Sequence, residues 1–265
     1  MDFTLILVAV LIVAGIGLVV GLVLAIASAV MAVPVDEKVE ALTEALPGAN
    51  CGACGYSGCS GYAAALAAGE AKNGACTPGG DECAQKIAEI LGEKASLVEK
   101  KVAVVRCMGI TENTQDKVIY QGIDSCKGAL LLGSKGQCGF GCLGLGDCVS
   151  VCSFEAVSVC NGVAKVDSTR CGACGLCVSA CPQKIIAIVP LREQAVVRCS
   201  NCDKGAQAKK ACKAACIGCK KCEKVCEAGA VTVADFKATV DPAKCTGCKL
   251  CIEACPQGTI TELIC

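Results

Sequence analysis

Seven cysteines in the second half of the chain recur at a constant offset of 74 residues. Cys142, Cys148, Cys152, Cys171, Cys174, Cys177 and Cys181 map onto Cys216, Cys222, Cys226, Cys245, Cys248, Cys251 and Cys255, and Cys138 maps onto Cys212. The second run of each copy has the form C-x2-C-x2-C-x3-C-P, ending at Pro182 and Pro256. This is [4Fe–4S] ligand spacing, in which the fourth cysteine of one run serves the other run's cluster. Units this small have little apolar core, so bound clusters must contribute much of their folding free energy.

The segments between the runs agree as well. Ala156-Val157-Ser158-Val159 aligns with Ala230-Val231-Thr232-Val233, and both alternate apolar and polar residues around a turn, with Asn161-Gly162 as the hairpin signal in the first copy. Each copy therefore reads as a bacterial-type two-cluster ferredoxin: a cysteine run, a hairpin, a second run and a short closing strand.

The exchange rule predicts the ligand sets. Cys152, Cys171, Cys174 and Cys177 form one, Cys216, Cys219, Cys222 and Cys255 a second, and Cys226, Cys245, Cys248 and Cys251 a third. The remaining set departs from the pattern, because Leu145 stands where the second copy has Cys219. Cys138 is the nearest replacement, giving Cys138, Cys142, Cys148 and Cys181. Ser153 and Glu227 replace the proline usual after the fourth cysteine, which puts the loop geometry in question more than the ligation.

There are 28 cysteines in 265 residues, with no histidine and no tryptophan. A secreted disulfide scaffold is normally short, and structural zinc uses separated C-x2-C pairs. Iron–sulfur ligation fits the spacing best. Without histidine, most zinc catalysis, histidine acid–base chemistry and Rieske ligation are excluded. No glycine-rich nucleotide loop is present, so no nicotinamide or flavin site, and no substrate-converting catalytic residue, is expected on this chain. The formal charge is zero, but bound clusters would make the loaded protein acidic.

A further site precedes the ferredoxins. Cys51, Cys54, Cys59 and Cys76 are spaced C-x2-C-x4-C-x16-C, with glycines that let backbone amides approach the sulfurs. Helices are predicted over Tyr62–Ala71 and Asp81–Leu91, with a short helix or linker over Asp36–Glu44. Zinc is the competing reading of these four cysteines. Cys83 reads as a buried or free thiol, and Cys160, Cys202 and Cys265 as bystanders. Val-Val-Arg-Cys occurs at 104–107 and again at 196–199. Cys107, Cys126, Cys199 and Cys212 are candidates to include ligands of a sixth cluster; the alternative is buried small hydrophobes or free thiols.

From Phe3 to Val35 the chain is apolar apart from Thr4 and Ser28, enough for a spanning helix of about 20 residues. The run is longer than the apolar region of a signal peptide, and no Lys or Arg precedes it. The first basic residue is Lys38, so an external N-terminus and a cytoplasmic cysteine-rich body are expected. The reducing cytoplasm also suits free thiols. Gly17 and Gly21 would let a partner helix approach closely, although glycine is common in membrane helices in any case. The run carries no charge, so the chain is not expected to form an ion path itself.

The four-cysteine segment resembles the small iron–sulfur domain of membrane electron-transfer subunits and of some corrinoid proteins. The order of anchor, four-cysteine domain and ferredoxin repeats resembles the B subunits of Rnf complexes, membrane ferredoxin:NAD oxidoreductases that export sodium or protons, in their longer anaerobe-type form. That resemblance implies an inner-membrane, single-pass subunit that relays electrons from reduced ferredoxin through about five, at most six, [4Fe–4S] clusters toward partner subunits holding the flavin and nicotinamide sites. It implies no nucleic-acid partner. Lys209, Lys210, Lys213, Lys220, Lys221 and Lys224 supply a basic surface for an acidic ferredoxin, or a solvated face offsetting cluster charge. A membrane-tethered reductase or activator of a corrinoid or other redox partner is the alternative function. The expected fold is α+β: a transmembrane anchor (1–35), a small, mostly helical four-cysteine domain (36–100), a connecting segment (101–135) and two tandem ferredoxins (136–192 and 193–265).

Overall fold

The computed structural model describes residues 3–30, 36–95, 99–192 and 194–263. Cys265 and the end of the apolar run, residues 31–35, lie outside the described residues. Helix α1 (Phe3–Val30) runs for 28 residues without a charged side chain. Its side chains from residue 11 to 26 are exposed. Among the described residues, no helix is long and apolar enough to cross a membrane.

Helices α2 (Glu37–Ala45), α3 (Cys59–Ala67) and α4 (Gly80–Leu91) form the first cysteine domain. Asp36 caps α2 by accepting from the Lys38 N–H at 3.0 Å. The core is Leu42, Leu46, Tyr62, Leu66 and Ile87, with Cys76 and Cys83 buried beside them. Helix α3 stops short of the predicted Ala71 because Gly69 turns left-handed (φ +74°), and the N–H groups of Gly69, Glu70 and Ala71 fold back onto the carbonyls of Leu66 and Ala65.

The first ferredoxin begins with β1 (Lys101–Val105), followed by α5 (Cys126–Leu131), α6 (Asp147–Ser150), β2 (Val157–Cys160), β3 (Val163–Val166), α7 (Leu176–Ala180) and β4 (Ile186–Pro190). The second contains β5 (Ala195–Val197), α8 (Gly205–Ala211), α9 (Lys221–Lys224), β6 (Val231–Ala234), β7 (Lys237–Val240), α10 (Leu250–Glu253) and β8 (Ile260–Glu262). All sheets are two-stranded and antiparallel. β2 pairs with β3 and β6 with β7 as hairpins, while β1 pairs with the closing strand β4 and β5 with β8. The start of the segment that reads as a connector in the sequence is thus a strand of the first ferredoxin, with Val105 opposite Ile186.

Strands β1 and β5 bury both faces. Ala103 and Val105 point into the first copy's core, with Cys148, Val157, Ala164, Cys177 and Ile186. Ala195, Val197, Cys222, Val231, Ala238, Cys251 and Ile260 repeat that core in the second copy. The alternate residues Val102 and Val104 pack on Val196 and Leu263, joining the copies.

Candidate iron–sulfur sites

Each ferredoxin run uses one local device twice per copy. A left-handed residue two positions before the buried cysteine of each run turns the chain into a short helix: Gly146, Gly175, Lys220 and Lys249, with φ of 84°, 80°, 60° and 64°. These helices carry Cys148, Cys177, Cys222 and Cys251, all buried. After each run, the residue three beyond the last cysteine returns its N–H to that cysteine's carbonyl with positive φ, at Glu155, Lys184, Gly229 and Gly258. The turn is the same at Ser153 and Glu227 as at Pro182 and Pro256, so the missing prolines leave the loop geometry intact.

These turns gather the thiols. Cys152, Cys171, Cys174 and Cys177 line one cavity. Cys216, Cys219, Cys222 and Cys255 line another. Cys226, Cys245 and Cys248 surround Cys251, whose thiol is raised by burial and then by their charge. Burial, with neighbouring thiolates, pushes Cys177 up to about 11 and Cys148 up to about 12. Unloaded thiols of this kind hold their protons at neutral pH, so loading iron must release them.

N–H groups aim at the sulfurs. Ala156 N–H donates to Cys152 Sγ at 3.4 Å, Ala230 N–H to Cys226 Sγ at 3.3 Å, Ala103 N–H to Cys171 Sγ at 3.5 Å and Ala164 N–H to Cys142 Sγ at 3.5 Å. Such bonds favour the thiolate form that ligates iron and tune its potential. Among the described residues, no three Cys, Asp or Glu side chains converge as a single metal ion requires. A four-iron cube does not require it, because each thiolate meets a different iron. The donor set and its N–H cradles fit such clusters.

The fourth set differs from the sequence expectation. Cys142, Cys148 and Cys181 share a cavity with Cys126 that Cys138 does not line, although Cys142 also borders the cavity that Cys138 lines. The Cys148 thiol feels Cys142, Cys126 and Cys181 as its charged neighbours. Cys126 lies in an insertion: Cys107 and Cys138 are 31 residues apart, whereas Cys199 and Cys212 are 13 apart, so the first copy has 18 extra residues. Leu145, in the position of the missing cysteine, packs against the cluster of Cys126, Ala129 and Leu143. Helix α5 begins at Cys126 and is capped from a distance by Asp147, whose carboxylate accepts from Cys126 N–H (2.8 Å), Lys127 N–H (3.1 Å) and Ser125 Oγ (3.1 Å). Cys138 instead lines a separate cavity with Cys107, Cys199 and Cys212. The expected grouping of Cys126 with Cys107, Cys199 and Cys212 is replaced in the same way.

In the first domain, Asn50 Oδ1 accepts from Cys59 N–H at 2.8 Å and so caps α3. Cys76 and Cys83 are hydrogen-bonded partners: the bond lowers the Cys76 thiol to about 7 and pushes Cys83 far up, with burial adding to the rise. Burial raises the Tyr62 hydroxyl to about 12, partly offset by Ala75 N–H, with Cys76 and Cys54 raising it further. Cys51 lies close enough to Cys174 to raise its thiol, after burial, and Pro78 lies beside Gly172. The domain therefore rests on the first ferredoxin beside the set of Cys152, Cys171, Cys174 and Cys177.

Residues 46–78 match the family described as "Putative Fe-S cluster", 164–187 the "4Fe-4S binding domain" and 215–259 the "4Fe-4S dicluster domain". Over 239 residues the chain is 43% identical to the B subunit of the Na(+)-translocating ferredoxin:NAD(+) oxidoreductase complex of Acetobacterium woodii, covering 89% of this chain and 72% of that one. It is 39% identical over 238 residues to the B subunit of the ion-translocating oxidoreductase complex of Methanosarcina acetivorans, covering 89% and 90%. It is 36% identical over 204 residues to the B subunit of the proton-translocating ferredoxin:NAD(+) oxidoreductase complex of Clostridium ljungdahlii, covering 76% and 72%. The chain belongs to the family of Rnf B subunits.

Within that family frame, the second copy matches as a dicluster domain, whereas the first matches only over its second run. Leu145, where the second copy has Cys219, lies inside the stretch that corresponds to that match. Cys107, Cys126, Cys138, Cys199 and Cys212 all fall outside the matched segments.

Proposed function

We propose that the chain is the membrane-anchored electron-transfer subunit of an ion-translocating ferredoxin:NAD+ oxidoreductase complex, accepting electrons from reduced ferredoxin and passing them toward partner subunits. The observation that carries this reading is the convergence of cysteines into sets of four along both ferredoxin copies, in a chain whose relatives are named as subunits of such complexes. Five [4Fe–4S] sites follow: Cys51, Cys54, Cys59 and Cys76; Cys152, Cys171, Cys174 and Cys177; Cys126, Cys142, Cys148 and Cys181; Cys216, Cys219, Cys222 and Cys255; and Cys226, Cys245, Cys248 and Cys251. When bound, each cluster supplies a one-electron site. The chain's part is to hold these sites in series, to exclude water with its small cores and to set their charge environment through N–H donors.

Residues 3–35 anchor the chain in the inner membrane, with the N-terminus outside and the cluster body on the cytoplasmic side. The apolar run, its lack of charge and Lys38 just beyond it support this placement. Lys209, Lys210, Lys213, Lys220, Lys221 and Lys224 are all exposed on the second ferredoxin, and Cys219 and Cys248 there are exposed too. A basic face around accessible ligands suits encounter with an acidic ferredoxin, by an attraction that fades with salt.

Inverted membrane vesicles supplied with reduced ferredoxin and NAD+ test the reading. They should oxidise ferredoxin, while sealed right-side-out vesicles should not. Lys220→Glu with Lys221→Glu should raise the apparent KM for ferredoxin several-fold at low salt and converge with the parent at high salt. An unchanged KM removes the docking face, and oxidation by right-side-out vesicles alone reverses the orientation.

A further inference from the structure

Four cysteines outside the matched family segments converge between the two ferredoxins. Cys107, Cys138, Cys199 and Cys212 line one cavity of about 130 Å³, together with Arg198 and Asn201. The two copies contribute matching pairs. Cys107 and Cys199 each follow the Val-Val-Arg end of the first strand, and Cys138 and Cys212 each stand four residues before the first run. Neither copy could complete the set alone.

All four sulfurs face N–H donors. Cys107 Sγ accepts from Gly109 N–H and Cys142 N–H, both at 3.3 Å. Cys199 Sγ accepts from Cys216 N–H at 3.3 Å and from Asn201 N–H. Cys138 Sγ accepts from Asn201 Nδ2 at 3.4 Å, and Cys212 Sγ from Ala214 N–H. Buried cysteines acting as small hydrophobes do not need to converge, nor to collect donors at every sulfur. Arg198 lines the same cavity with its buried Nε lacking an acceptor. A buried guanidinium in that state calls for negative charge beside it.

We propose that Cys107, Cys138, Cys199 and Cys212 hold a further [4Fe–4S] cluster that joins the two ferredoxin units, with Arg198 offsetting its negative charge. The site rests on the multi-cluster reading above and extends it. On one side, Cys107 Sγ is a single hydrogen bond from the backbone of Cys142, a ligand of the first copy. On the other, Cys199 Sγ is a single hydrogen bond from the backbone of Cys216, a ligand of the second. A cluster held by these four cysteines would supply a one-electron site between the two copies, with no bond made or broken at the thiolates.

Iron and acid-labile sulfide are counted on the intact chain, purified anaerobically in detergent. The site predicts about 24 irons per chain rather than about 20, at about four irons per cluster. Cys138→Ser with Cys212→Ser should lose about four irons and one set of low-temperature EPR features, while Cys160→Ser with Cys202→Ser should lose none. Should the first variant fail to fold, thiol mapping of the loaded parent decides the matter: the four cysteines should resist iodoacetamide until iron is chelated. About 20 irons with these four thiols alkylated in the loaded protein overturns the site and leaves the five-cluster reading standing. A chain without iron overturns both.

Discussion

Asp147 is the residue on which the first copy's irregular site turns. Burial alone would raise its carboxyl, but the N–H groups of Cys126 and Lys127 and the Ser125 hydroxyl hold it below the usual range. One carboxylate thus fixes the start of α5 and with it the thiol that replaces the one missing at Leu145. Asp147→Ala removes a helix cap, a loss of about 1 kcal/mol. It should also cost about four irons, those of the Cys126 set, while the remaining clusters stay bound; a full iron count in this variant would show that Cys126 is held by something else. The sequence contains the clue to the exchange between Cys126 and Cys138. Cys138 has an equivalent, Cys212, in the copy whose run is already complete, so neither belongs to a run. Cys126 itself could not be placed from spacing, because an insertion's path depends on distant contacts such as that with Asp147.

At the scale of elements, the duplication is most legible where turns are chemically specified. Asn161-Gly162 adopts the two left-handed residues that a tight hairpin requires, at φ 52° and 80°. The second copy makes the same turn with Asp235 and Phe236, at φ 46° and 58°, which no turn motif announces. Strands β1 and β5 are visible in the sequence only as the repeated Val-Val-Arg-Cys. Their role as partners of the closing strands comes from long-range pairing, which local pattern does not encode. The hairpin tips also lock onto the cysteine runs. A Cβ on Gly144 would lie 2.6 Å from Gly162 O, and one on Gly218 would lie 2.9 Å from Phe236 O. Both glycines are left-handed, so Gly218→Ala carries a conformational cost of about 1–2 kcal/mol plus a backbone clash. Gly229→Ala, with φ +58° and open space around it, carries only the first. Gly218→Ala should therefore lower the thermal midpoint clearly more than Gly229→Ala; equal shifts would mean the hairpin tip yields freely.

Across the whole molecule, contacts join each cysteine-bearing unit to the next. The first domain meets the set of Cys152, Cys171, Cys174 and Cys177 through Cys51 and Cys174. The first copy's two sets share one core, the cavity of Cys107, Cys138, Cys199 and Cys212 lies between the copies, and the second copy ends at the exposed Cys219 and Cys248 among lysines. The apolar helix α1 precedes the other end of this series. The presence of iron–sulfur domains and the grouping of most of their cysteines could be read from the sequence, because cluster chemistry dictates tight spacing. The contact between the two copies could not, because it arises from the packing of Val102 and Val104 against Val196 and Leu263. Anaerobic titration of the intact, detergent-solubilised chain with reduced ferredoxin, followed by EPR, tests the electron-relay function most directly. Iron–sulfur signals should develop in successive steps, for at least about five electrons accepted per chain, one per cluster. A colourless chain that carries zinc or disulfides and takes up no electrons from ferredoxin would contradict it.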